Sequence, residues 1–116
     1  MKLKFIRVEK LECLIGINSQ IRFSKKVSEY LKLSNFKKYE IAYDENENPI
    51  KNIYLSNSQA IYGAFHLTLQ NGGYFISAKK VVEELKLELP IKCKIIELEK
   101  SNELPYGGLR LSFFQH

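Results

Sequence analysis

Apolar and polar residues alternate along most of this chain, and twice the alternation gives way to a helical spacing. In "SQIRFS" (19–24) Ile21 and Phe23 share one face, with Gln20 and Arg22 on the other, the period-two signature of a strand with one buried side. "YEIAY" (39–43) repeats the pattern through Tyr39, Ile41 and Tyr43, and "GYFISA" (73–78) through Tyr74 and Ile76. "CKIIEL" (93–98) alternates less cleanly through Cys93, Ile95 and Glu97. "LECLIGI" (11–17), "IYLS" (53–56), the stretch 64–70 and "LRLSFF" (109–114) complete the expected strands.

The two helical stretches are nearly the same sequence. "SKKVSEYLKL" (24–33) returns as "SAKKVVEELKL" (77–87), and once Ala78 is set aside eight of ten positions are identical. Val27 and Leu31, like Val81 and Leu85, sit four residues apart and so fall on one helix face. Ser24 and Ser77 stand where an N-cap belongs. Each helix spans only two to three turns, too short to be stable without packing on something larger.

A self-similar sequence calls for a repeated architecture. Each half reads strand, tight turn, strand, short helix, strand, hairpin, strand, over residues 11–56 and 64–114, with an added strand expected over residues 1–10. Pro49 and Pro105 lie in the two long hairpin loops, "DENENPIKN" and "EKSNELPYGG". Neither half has enough apolar residues for a core of its own. The expectation is one domain, 1–116, mainly β with two short helices (α+β): a barrel closed by both halves.

This pattern resembles the AbrB/MazE/SpoVT swapped-hairpin family, in which two half-units interlock into one small β-barrel. The resemblance covers nearly the whole chain and implies a fused pseudo-dimer, monomeric or itself paired into a homodimer. The family's signature at the strand-to-helix step is a Gly-Arg turn, an alternating strand and then Pro, as in "GRVVIP". Gly72 keeps the turn glycine, whereas Gln20 and Gly73 stand in place of the arginine and Ser24 and Ser77 in place of the proline. The resemblance implies DNA binding and transcriptional regulation.

Charge bears on the same question. The chain carries a formal net charge of +5, with 18 Lys and Arg against 13 Asp and Glu. A basic surplus favours polyanionic partners. The pairs Lys25-Lys26 and Lys79-Lys80 open both helices, where cations oppose the helix dipole, and a phosphate partner would explain them. Asn18, Gln20, Arg22 and Asn71 are the candidates for reading bases, because Arg, Asn and Gln carry most base-edge contacts. The leading expectation is therefore a double-stranded DNA-binding regulator using Asn18, Gln20, Arg22, Lys25, Lys26, Asn71, Lys79 and Lys80. The alternative is a protein-binding inhibitor or accessory factor of the kind phages and mobile elements carry. The 14 Phe and Tyr residues suit an interface as well as a core.

No enzyme is expected: His66 lies mid-strand with no nucleophile or acid at a useful spacing, and "NGG" and "YGG" lack the context of a phosphate-binding loop. Asp44, Glu45 and Glu47 lack the spacing of a calcium loop and read as a solvated turn. No metal or cofactor is expected. Cys13 and Cys93 have no metal-ligand spacing and read as small core residues. Arg7, Glu9, Lys10 and Glu12 interrupt any leader-like apolar run, and no stretch approaches the roughly 20 apolar residues of a membrane span. A cytoplasmic protein is expected.

Overall fold

The alternating stretches pair with one another into a single antiparallel sheet in a computed structural model, which describes residues 1–5 and 10–114. The elements run β1 (Glu12–Ile15), β2 (Gln20–Phe23), α1 (Lys25–Tyr30), β3 (Lys38–Ala42), β4 (Asn52–Asn57), β5 (Phe65–His66), β6 (Thr68–Gln70), β7 (Gly73–Ser77), α2 (Lys79–Leu85), β8 (Ile91–Leu98) and β9 (Gly108–Phe113). Among the described residues strand makes up 39% and helix 12%, so they are mainly β with two helices. The N-terminal strand expected over 1–10 lies partly outside the described residues, and 1–5 and Lys10 carry no strand.

The sheet order is β5-β3-β4-β9-β8-β1-β2-β7-β6. Its two edge strands are neighbours in sequence, with only Leu67 between them. This departs from the single strand expected over 64–70. Leu67 is buried, and the chain bends there so that β5 pairs with β3 while β6 pairs with β7. One seven-residue stretch thereby serves both edges and leaves a nearly closed barrel. Closure of this kind removes the unpaired backbone groups that make free edges prone to association.

Inward-facing residues meet in pairs across the ladders. Ile21 opposes Ile76, Ile53 opposes Leu111 and Leu55 opposes Leu109, and all six are buried in one continuous cluster. Each such side chain is worth about 1.5–3 kcal/mol relative to exposure. Cys13 and Cys93 face each other across β1 and β8, both free and buried. The hydrogen bond to the Cys93 thiol, followed by burial, pushes the Cys13 thiol well above its ordinary value. Glu97, placed by its spacing on the face of Cys93 and Ile95, is exposed.

The helices are short, six and seven residues, and are tied down individually. On α1, Val27 and Leu31 are buried as their spacing implies. Ser28, also buried, donates its hydroxyl to the Phe23 carbonyl at 3.3 Å and accepts the Tyr74 N–H at 3.2 Å. One side chain thus ties the helix to both β2 and β7. Ser24 caps α1, accepting the Val27 N–H at 3.2 Å. Ser77 does not play the same part. It ends β7, and the N-cap of α2 is Ala78, which makes no side-chain cap bond. The extra residue moves the helix start by one, and the Ala78 N–H instead donates to the Ser19 carbonyl at 2.9 Å.

Candidate nucleic-acid interface

The β2–β7 ladder carries two of the residues singled out for DNA contact, Gln20 and Arg22, and the turns and helices that adjoin it carry the others. On β2, Ile21 and Phe23 point into the core, so Gln20 and Arg22 face outward. A turn at 16–19 precedes the strand, closed by the Ser19 N–H donating to the Gly16 carbonyl at 2.9 Å, with Ser19 at φ 63°. A second turn precedes β7, with Asn71 at φ 52° and Gly72 at φ 83° between Gln70 and Gly73. Two consecutive positive φ values define the type I′ hairpin turn, which Asn-Gly adopts at least cost.

Arg22 stands at the centre of this face, directly opposite Phe75 in the β2–β7 register. Its guanidinium lies 5.4 Å from the centroid of the Phe75 ring. One terminal nitrogen, Nη2, donates to Gln20 Oε1 at 2.6 Å and to Gln70 Oε1 at 3.2 Å. Both acceptors are neutral amides, so they fix the guanidinium without cancelling its charge. Among the described residues no carboxylate is within ion-pairing distance of it; the ion pair on this side of the barrel joins Lys92 to Glu12 at 3.3 Å.

Asn18 and Gln20 are bound to each other as well as to Arg22. The Asn18 amide donates to Gln20 Oε1 at 3.0 Å, and Asn18 Oδ1 accepts the Gln20 backbone N–H at 3.2 Å. Asn18 therefore spends its hydrogen-bonding capacity on the turn and on orienting Gln20. The Gln20 carbonyl accepts from both Asn18 and Arg22, which directs its NH₂ group away from them as a donor.

The lysines open the two helices that follow β2 and β7. Lys25 lies against the β6–β7 turn: a Cβ built on Gly72 would sit 3.1 Å from Lys25 Cδ. Arg22, Lys25, Gln70, Asn71, Gly73 and Lys92 are among the residues lining one groove of about 500 Å³. Lys79 follows Ala78, whose N–H is bonded to the Ser19 carbonyl of the opposite turn. Lys26 and Lys80 are exposed in the first turns of their helices. The fold thus joins Asn18, Gln20 and Arg22 in one hydrogen-bonded chain and sets Lys25 and Asn71 in the same groove as Arg22. It attaches the start of α2, with Lys79 and Lys80, to the turn that carries Asn18.

Three residues of this surface escaped the sequence reading: Gln70, Phe75 and Lys92. Gln70 and Phe75 owe their roles to strand pairing across β6, β7 and β2, and only the register reveals it. The "NG" turn was the available signal. A two-residue turn after Gln70 places it opposite Gly73, next to the strand that carries Phe75.

Elsewhere, the Glu47 carboxylate accepts the backbone N–H groups of Lys51 at 2.6 Å and Asn52 at 3.0 Å. These bonds, that of Lys51 foremost, hold its carboxyl below the ordinary value and make it a loop-closing residue. Among the described residues no three His, Cys, Asp or Glu side chains are placed to hold a metal ion. No helix among them is long and apolar enough to cross a membrane.

No protein-family model, curated protein or solved structure matches the chain.

Proposed function

We propose that this protein binds double-stranded DNA through the outer face of the β2–β7 ladder, as a regulator built from two interlocked copies of one unit. The observation that carries the DNA reading is Arg22, a guanidinium held in place by neutral amides, with no ion-pair partner among the described residues and with Lys25 in the same groove. A cation already held by its neighbours suits a phosphate-lined partner, because less ordering is left to occur on binding.

The strand order supports the two-unit reading. Exchange β1 with the β5/β6 pair, β2 with β7, β3 with β8 and β4 with β9. Every neighbour relation is then preserved: β1–β8 becomes β5–β3, and β2–β7 and β4–β9 map onto themselves. The registers agree on most ladders, and at β1 they split across the bend, Leu14 matching His66 beside β3 and Thr68 beside β7. Cys13 opposes Cys93 as Phe65 opposes Tyr39. Tyr39 opposes Asn57 as Cys93 opposes Phe113. Together with the near-identical helices this favours a fused pseudo-dimer of the swapped-hairpin kind.

Binding to a generic duplex across a salt series tests the reading. Log affinity is expected to fall with log salt by about 0.9 for each phosphate neutralised. Lys25→Ala/Lys26→Ala and Lys79→Ala/Lys80→Ala should each flatten that slope. Absence of duplex binding at about 50 mM salt, the low end of the range over which such contacts act, would overturn it.

A protein-binding role is favoured by a different observation. Phe36, Ile61 and Tyr62 are 94%, 81% and 87% exposed, and large apolar residues left in water are enriched at protein interfaces. If duplex binding fails, a protein target becomes the reading to pursue.

A further inference from the structure

The two halves of the proposed DNA face are chemically unequal. Under the repeat, Ser24 corresponds to Ser77, which sets Gln20 against Gly73 and Arg22 against Phe75. Arg22 and Phe75 are also direct partners across the β2–β7 ladder. The axis relating the two units therefore passes through this one pair. A true twofold dimer would place two identical residues there; this chain places one guanidinium and one phenyl ring.

The asymmetry extends outward from that point. Gln20, which accepts from Arg22 on one side, has only Gly73 as its counterpart. A side chain at Gly73 is sterically blocked, since a Cβ there would lie 2.4 Å from the Phe23 carbonyl oxygen. The lysine pairs, by contrast, are kept in both units. The halves share the lysine pairs and a turn asparagine, Asn18 matching Asn71, and only one half has the guanidinium and its Gln20 partner.

Arg22 is suited to reading a base. Its bonds to Gln20 and Gln70 use a single terminal nitrogen, and Nε and Nη1 make no hydrogen bond among the described residues. Every two-donor fork of a guanidinium includes Nη2, so a bidentate pair on the O6 and N7 acceptors of guanine forms from Nη1 and Nη2 when the base displaces the longer, 3.2 Å bond to Gln70. The phenyl ring beneath it restricts the plane of the fork.

We infer that the face takes a non-palindromic duplex, read once near its centre by Arg22 at a guanine and held on both sides by lysine–phosphate contacts. This inference rests on the DNA-binding reading above. The lysines set affinity and salt dependence, and Arg22 sets which strand orientation is accepted.

Selection of bound duplexes from a random-sequence library by the full chain tests it. The expected product is one motif without internal dyad symmetry and with one dominant G·C pair. Changing that pair should weaken wild-type binding by roughly 5- to 150-fold. Arg22→Gln and Arg22→Ala, which remove the guanidinium, should each reduce that penalty to about onefold. Melting curves would verify that both variants are folded; Arg22 is exposed, and the wild-type motif itself decides the question of symmetry. A palindromic motif with two equal half-sites would overturn the inference. So would binding with no base preference, or a guanine preference that survives Arg22→Ala. Those results leave duplex binding standing, whereas failure to bind any duplex at low salt removes the DNA reading itself.

Discussion

Tyr39 offers a direct measurement of how dry the barrel interior is. Its side chain is 1% exposed, on the strand that pairs with β5 where the sheet turns towards closure. Burial pushes its phenol from 10.0 up to about 12, because the interior disfavours the phenolate. The unfolded chain releases this proton near pH 10 and the folded chain near 12, so between those values the unfolded state holds fewer protons. Rising pH then draws the equilibrium towards it. The Tyr39 contribution is intact below pH 10 and is lost as pH rises through 12. For a shift from 10.0 to about 12 the loss is about 1.4 kcal/mol at pH 11, approaching about 2.7 kcal/mol at higher pH. Tyr39→Phe keeps the ring and removes the titrating group. Urea unfolding of both proteins at pH 7 and pH 11 isolates the effect, since every other group is common to the two. Wild type should lose about 1.4 kcal/mol relative to the variant over that interval. An unchanged difference between the two proteins would mean that water reaches the Tyr39 hydroxyl, and the argument from burial would fail.

The two helix starts should respond differently to the same substitution. Ser24→Ala removes a cap bond and should cost about 1 kcal/mol, whereas Ser77→Ala, at an exposed strand end with no cap role, should stay within about 0.5 kcal/mol. Equal costs in chemical denaturation would refute the displaced cap. Gly73→Ala should destabilise by roughly 1–3 kcal/mol, because its Cβ would approach the Phe23 carbonyl oxygen to 2.4 Å and that oxygen belongs to backbone. A wild-type melting midpoint would show that β2 and β7 can separate freely at that point.

What the sequence alone determined is whatever depends on near neighbours. Alternation at Ile21 and Phe23 sets which face of β2 is buried, and the four-residue spacing of Val27 and Leu31 sets the buried side of α1. The Asn-Gly turn was equally readable, since periodicity and turn chemistry are local properties. Tertiary structure decided the rest. Nothing local distinguishes Leu67 from its neighbours in an apolar stretch, yet burial at the closing seam divides that stretch between two edges. Ser77 looks like Ser24 until the hydrogen bond from Ala78 to the Ser19 turn displaces the helix start. Arg22 was visible as a cation, but its bracing by Gln70 and its position opposite Phe75 depend on register between strands some 50 residues apart. Register follows from how the whole core closes, and no window of neighbouring residues contains it.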